Sequence, residues 1–273
     1  VAREMGVTTP VRAVRLDAPH QMAPVGTVYY SGPNYAPEAW RRSHHGAAAW
    51  SICGLTHTMS TKAVMQGVFD LRCAPSQEWD AVICTSRSVQ AAMRMQLDLV
   101  DDFLRARFGP SLPPRYQTPV LPLGIDCDEF QPEVAPGLAL RARLGIAPGD
   151  VAALIVARLT PHEKFDPLPV YIALDQAQKT LPKGQKLHLI LYGRYPDDYS
   201  KKVFEQGAAG LMPDVGLHVL PHEGPAARLA ALSASDMFLF PIDNLQESFG
   251  IAPVEAMAAG LPVIASDWDG IKD

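Results

Sequence analysis

The sequence lacks any hydrophobic run long enough to cross a membrane. Its longest, Val151–Ala157 and Met237–Ile242, fall far short of the roughly 20 residues a membrane helix needs, so no integral membrane segment is expected. It has no excess of positive charge either. Lys and Arg number 24 against 29 Asp and Glu, a net charge of -5, which excludes the broad basic field of a nucleic-acid binder and leaves any anionic ligand to be held locally. Cysteine is scarce: Cys53, Cys73, Cys84 and Cys127 stand far apart with no Cys-x-x-Cys pair. That excludes a disulfide scaffold or zinc ribbon and is read as free thiols in a reducing, cytoplasmic compartment. Internal repeats and low-complexity tracts are also missing. The opening residues, Val1-Ala-Arg-Glu-Met-Gly, have neither an initiator Met nor the apolar core of a secretory signal, so the chain is expected to begin inside a longer protein. What is abundant is hydrophobic residues, 48% of 273, enough for two ordinary domains with real cores.

Apolar strand-like runs alternate with helical patterns, the behaviour of a parallel α/β sheet. In the first half, 48–55 and 81–85 read as buried strands, and 88–108 as a helix carrying Val89, Met93, Leu97, Val100 and Leu104 on one face. In the second half strands are expected at 151–157, 187–192, 217–220, 237–241 and 262–266, with helices at 168–179, 200–207, 226–233 and 251–259. The Pro-rich stretch 109–119 and the segment following it read as a crossing between domains. The boundary is placed near residue 145, dividing the chain into 1–145 and 146–273.

Two motifs carry chemistry. Glu247-Ser-Phe-Gly-Ile-Ala-Pro-Val-Glu255 lies where a strand hands over to a helix. Pro253 is tolerated only in a first helical turn, so the helix is expected to start near Ile251, with Glu255 in its first turn and Gly260 as terminator. The N–H groups of Phe249, Gly250 and Ile251 then face the carboxyl edge of the sheet, where open α/β folds bind ligands and a helix start attracts anions. Carboxylates are acceptors only, and sugar or ribose hydroxyls would satisfy Glu247 and Glu255. The alternative is that both simply complement the helix dipole. The second motif, Arg158-Leu-Thr-Pro-His-Glu-Lys164, follows the first strand of the same domain. A guanidinium and an ammonium leaving one sheet edge would suit a diphosphate, although loop Arg and Lys are commonly just solvated charges.

Taken together, the Arg158/Lys164 pair, the Glu247/Glu255 pair and the following Ala256-Met-Ala-Ala-Gly-Leu-Pro-Val-Ile-Ala265 closely resemble the donor domain of family-4 GT-B glycosyltransferases. The similarity runs from about Leu121 to Asp273, with a weaker reach back to Gly54-Leu-Thr-His57-Thr. It implies an α/β GT-B fold, two Rossmann-like domains with parallel sheets facing across a cleft, the N-terminal one incomplete. It implies Arg158 and Lys164 on the donor diphosphate, Glu247 with Ser248, Phe249, Gly250 and Ile251 on the donor sugar, Glu255 on the ribose, Gly193 at the donor site, and His57 facing the sugar from the first domain. The implied activity is retaining, metal-independent transfer of a sugar from a nucleotide diphosphate sugar, a co-substrate rather than a cofactor, to an unspecified carbohydrate, lipid or small-molecule acceptor. The chain departs from the family pattern at Ala157 and Phe165, where glycines are usual, at Leu123-Gly124 in place of Asn-Gly, and in showing no glycine-rich first strand.

Other readings stand beside this one. Asp126-Cys-Asp128 and Asp267-Trp-Asp269 spell the Asp-x-Asp metal signature of the GT-A fold, but that reading leaves Arg158, Lys164, Glu247 and Glu255 unused. His44-His45 is read as a surface pair, because adjacent side chains diverge. A sugar-nucleotide epimerase or phosphorylase, or a donor-binding fragment inactive by itself, are the functional alternatives.

Overall fold

The computed structural model describes residues 17–244 and 246–273, together with Gly6, Thr8, Val14 and Arg15. The chain divides into two compact units, one ending at Pro122 and the other spanning Leu123–Asp273.

The first unit is a parallel sheet of β1 (Thr27–Tyr30), β2 (Ser51–Leu55) and β3 (Ala81–Ile83) in that order, with α1 (Pro19–Met22), α2 (Ala36–Ser43), α3 (Lys62–Cys73) and α4 (Arg87–Phe108). Local chemistry starts its long helices. The Thr61 hydroxyl accepts the Val64 N–H at 3.3 Å, and the Ser86 hydroxyl accepts that of Val89 at 3.1 Å, each answering one of the orphan donors of a first turn. Val89, Met93, Leu97 and Val100 bury the inner face of α4, as their spacing predicts, while Leu104 is only half-buried. The sequence does not announce β1, α2 or α3, which are short, polar or irregularly patterned.

The second unit holds α5 (Val134–Leu144), β4 (Val151–Val156), α6 (Pro167–Gln178), β5 (Leu187–Tyr192), α7 (Asp198–Leu211), β6 (Gly216–Leu220), α8 (Pro225–Ser233), β7 (Met237–Phe240), α9 (Ile251–Ala258) and β8 (Val263–Ala265). All five strands are parallel, in the order β6-β5-β4-β7-β8. Counted within the unit this is the 3-2-1-4-5 order of a doubly wound Rossmann-like sheet, whose order reverses between β4 and β7. Every residue of β5 and the central four of β4 are buried, which explains why these strands read as largely apolar runs, broken in β5 only by His188.

The division at Leu123 corrects the expected boundary near 145. Helix α5 packs against α8, and Arg141 reaches the Ala234 carbonyl and the Asp236 carboxylate, each at 3.0 Å, and the Asp150 carbonyl at 2.6 Å. Of the stretch that reads as a crossing, the part up to Pro122 thus belongs to the first unit, bridged to β3 and the residue after it through Gln117 and Val120, and α5 is part of the outer wrapping of the second core.

One buried ion pair organises the first unit. Arg42 and Asp80 are both fully buried and joined twice, at 2.5 and 2.7 Å. Asp80 also accepts the N–H groups of Ile52 and Gln77, and Arg42 donates to the carbonyls of Trp50 and Pro75, so α2, the start of β2 and the turn before β3 share one network. Removing one partner of such a pair leaves an uncompensated buried charge. Asp80→Asn is therefore expected to destabilise this unit by about 3–5 kcal/mol, read as a lowered urea midpoint of its unfolding transition.

Candidate functional site

The second unit presents its carboxyl edge as a row of loops, each starting where a strand ends. After β4 the chain carries Arg158, and the loop that follows is anchored at its two ends by Leu159 and Phe165, which are fully buried. Phe165 packs edge-on against Phe204, with ring centroids 5.4 Å apart. A phenylalanine in place of the usual glycine thus adds to the core, and of the residues between the anchors Thr160 is buried while His162 and Glu163 are exposed. The Lys164 N–H donates to the Thr160 carbonyl at 3.2 Å, and the Lys164 carbonyl accepts from Asp243 N–H at 3.2 Å, tying this loop to the one after β7.

That second loop carries Glu247. Its N–H donates to Asp269 Oδ2 at 2.8 Å, and its carbonyl accepts the N–H of Gly270 at 3.0 Å. A Cβ at Gly270 would lie 2.3 Å from the Ser248 carbonyl oxygen, so only glycine allows this approach. Asp269, second acid of the Asp-x-Asp spelling, is therefore a strut of the Glu247 loop. Asp126, first acid of the other spelling, accepts the Asp128 N–H at 3.0 Å and caps a short 3-10 turn, Cys127–Phe130.

The two loops meet. Lys164 Nζ lies 2.6 Å from Glu247 Oε2, with the side chains 21% and 14% exposed. Because β4 and β7 are neighbours at the point where strand order reverses, the contact spans the crevice in which open α/β sheets bind ligands. Arg158 leaves the same edge but is exposed and paired with Glu163 at 3.1 Å. The expected convergence of Arg158 and Lys164 is thus one of shared loop and edge, with different carboxylate partners.

Helix α9 starts at Ile251, as Pro253 requires, behind Gly250 in the left-handed region (φ 80°), and Gly260 (φ 75°) follows its end. Glu255 is the fifth helical residue and so lies in the second turn, a correction to the expected first-turn position. The helix begins at Ile251 itself, with Pro253 third, which leaves Glu255 one turn further in. Phe249 and Ser248 are half-buried in the approach, Gly250 is buried, and Ile251 is 39% exposed. Glu255 is only 5% exposed, and its carboxylate forms an ion pair with Arg228 of α8. Burial draws the Arg228 guanidinium below its ordinary value, opposed by the nearby Tyr192. Sequence reasoning missed Arg228. The legible signal was its isolation as the one charge in the apolar run Ala226-Ala-Arg-Leu-Ala-Ala-Leu232.

Gly193, at the end of β5, sits directly behind the Arg158 loop: a Cβ there would lie 2.0 Å from the Ala157 carbonyl oxygen. Beside it opens a cavity of about 280 Å3 lined by Ala157, Arg158, Tyr192, Gly193, Arg194 and His222. Arg194 donates to the His222 carbonyl at 2.9 Å, closing its far wall. Neither Arg194 nor His222 was singled out from the sequence as a site residue. His57 belongs to the first unit, exposed just beyond β2, where Thr56 donates to the Ile83 carbonyl at 3.1 Å and ends the strand.

A doubly wound sheet whose switch-point loops carry an Arg/Lys motif and a Glu-x7-Glu motif places the second unit in the GT-B class of fold. Residues 139–273, most of the second unit, match the family Glycosyl transferases group 1. Over 229 residues the chain is 29% identical to the D-inositol 3-phosphate glycosyltransferase of Geodermatophilus obscurus, covering 82% of this chain and 48% of that protein. It is 31% identical over 181 residues to the GDP-mannose-dependent alpha-(1-6)-phosphatidylinositol monomannoside mannosyltransferase of Mycobacterium tuberculosis, covering 64% of this chain and 44% of that one. The chain thus spans less than half the length of these relatives. In fold it is similar to Anabaena Alr3699/HepE, solved with UDP and glucose (TM-score 0.64, 19% identity, 93% of this chain and 64% of that one). It is similar also to the catalytic domain of Starch Synthase IV from Arabidopsis thaliana, bound to ADP and acarbose (TM-score 0.61, 15% identity, 94% and 60%). Among the described residues no helix is long and apolar enough to cross a membrane.

The contact behind the Arg158 loop is directly testable. Gly193→Ala drives a methyl group into a backbone carbonyl and is expected to cost about 1–3 kcal/mol of stability, seen as a lowered thermal midpoint of the second unit.

Proposed function

We propose that the chain belongs to a cytoplasmic, retaining, metal-independent glycosyltransferase and binds its nucleotide diphosphate sugar at the carboxyl edge of the second sheet. The observation that carries this reading is the Lys164–Glu247 contact across the β4/β7 switch point, which joins the cationic loop to the loop that opens α9. Relatives whose names specify glycosyl transfer, one of them GDP-mannose-dependent, support it. The acceptor is a carbohydrate, lipid or small molecule.

In this reading Arg158 and Lys164 take the diphosphate, displacing Glu163 and Glu247 as their partners. Glu247 is then released toward the hydroxyls of the donor sugar, with the backbone of Ser248, Phe249, Gly250 and Ile251 beside it. Glu255 takes the ribose, and the open space beside Gly193 admits the donor. The bond between the anomeric carbon and the diphosphate oxygen breaks, and the acceptor oxygen bonds to that carbon from the same face. The acceptor proton passes to the departing phosphate. Side-chain cations that strengthen their hold as the phosphate gains charge lower the barrier without a metal.

Steady-state kinetics on the full-length protein test this division of labour. Arg158→Ala is expected to lower kcat by about 10²–10³, as for loss of one preorganised donor to a developing oxyanion. Glu255→Gln should act chiefly on KM for the donor, because a ribose contact is the same in ground and transition states. Normal kcat in the first variant with abolished kcat in the second would reverse these roles. Activity should survive EDTA; loss with rescue by manganese would return the Asp-x-Asp motifs to consideration.

A further inference from the structure

The carboxylate given to the ribose is also the most deeply buried ionisable group of the proposed site. Glu255 is 5% exposed, and a carboxylate so far from water is unfavourable unless a counter-charge and hydrogen bonds replace its hydration. The counter-charge comes from Arg228, fourth residue of α8, which ion-pairs with Glu255 Oε2. Its position is built from three sides. Its N–H donates to the Gly224 carbonyl at 3.1 Å, and the same carbonyl accepts the Tyr192 hydroxyl at 3.0 Å, fixing the start of α8 to the end of β5. The Tyr192 hydroxyl also accepts the Glu223 N–H at 3.2 Å. The Arg228 guanidinium carbon lies 6.0 Å from the centre of the Phe130 ring, within range of a cation–π contact, and the 3-10 turn bearing Phe130 packs against α9. A cation so held, 22% exposed and turned to a buried carboxylate, is poorly placed to be a surface charge.

We propose that Arg228 is a positioning residue for the donor ribose: it holds Glu255 through Oε2, so that Oε1 accepts from the ribose hydroxyls, and it does not touch the donor itself. This rests on the reading of Glu255 above. It adds a residue from α8, an element outside both recognised motifs, and supplies the counter-charge that a buried carboxylate in the second turn of α9 requires.

The test is calorimetric titration of the full chain with UDP, GDP and ADP and with their 2′,3′-dideoxy counterparts. The wild type is expected to prefer the ribonucleotide it binds by about tenfold, the scale of a hydrogen bond to a charged group. Arg228→Gln should abolish that preference while leaving affinity for the dideoxy form within about twofold, and Arg228→Lys should restore part of it. The double variant Arg228→Gln/Glu255→Gln, which removes both charges and so avoids a lone buried one, should be no weaker than Glu255→Gln alone. A preference kept in Arg228→Gln, an equal loss for both nucleotide forms, or additive losses in the double variant would each overturn the proposal. A wild type that binds nucleotide without preferring ribose would overturn it by removing Glu255 from the ribose. A wild type that binds none of the three would instead refute the donor reading beneath it.

Discussion

The structure of the second unit depends on one constraint, the burial of β4 and β5 in the middle of a parallel sheet. A strand covered on both faces is largely apolar, and the polar exception in β5, His188, is matched by His218 at 3.0 Å and Asp150 at 3.3 Å, so ligand chemistry is pushed to the strand ends. Parallel strands put all their carboxyl ends on one edge. Arg158 after β4, Gly193 after β5, His222 after β6 and Glu247 after β7 therefore share that edge by necessity, although up to about ninety residues separate them in sequence. The order β6-β5-β4-β7-β8 then selects which loops touch. The reversal makes β4 and β7 neighbours, and the Lys164–Glu247 contact forms there.

Electrostatics within that edge follow a pattern. Each acid implicated in donor binding already has a cation: Glu247 has Lys164, and Glu255 has Arg228. The two cations are about equally exposed, at 21% and 22%, while the Glu255 side chain at 7% is more enclosed than that of Glu247 at 14%. The pairs differ in where they sit: Lys164 and Glu247 join two loops, whereas Arg228 and Glu255 lie on α8 and α9 beside the Phe130 turn, and leaving a buried charge alone there is costly.

The first unit uses buried charge differently. Arg42–Asp80 and Arg72–Asp101, at 2.5 and 2.6 Å, lie in its interior and satisfy backbone groups of neighbouring turns. Its three strands are short, and these networks fasten the connections that such a small sheet cannot.

By itself the sequence determined the elements that are long, apolar and well punctuated. The central strands β4 and β5 were legible because burial on both faces leaves largely hydrophobic runs, and the start of α9 because Pro253 must lie in a first turn, although that rule left the turn of Glu255 open. The motif residues Arg158, Lys164, Glu247 and Glu255 could be named because spacing and context survive in one dimension. Only tertiary structure decided their partners. Lys164 and Glu247 are 83 residues apart, and which strands become neighbours is settled by sheet order, to which local sequence is blind. It likewise assigned α5 to the second unit, turned Phe165 into the core, made Asp269 a strut and brought Arg228 to Glu255, because each outcome depends on what packs opposite, and a side chain's spelling does not record its opposite number.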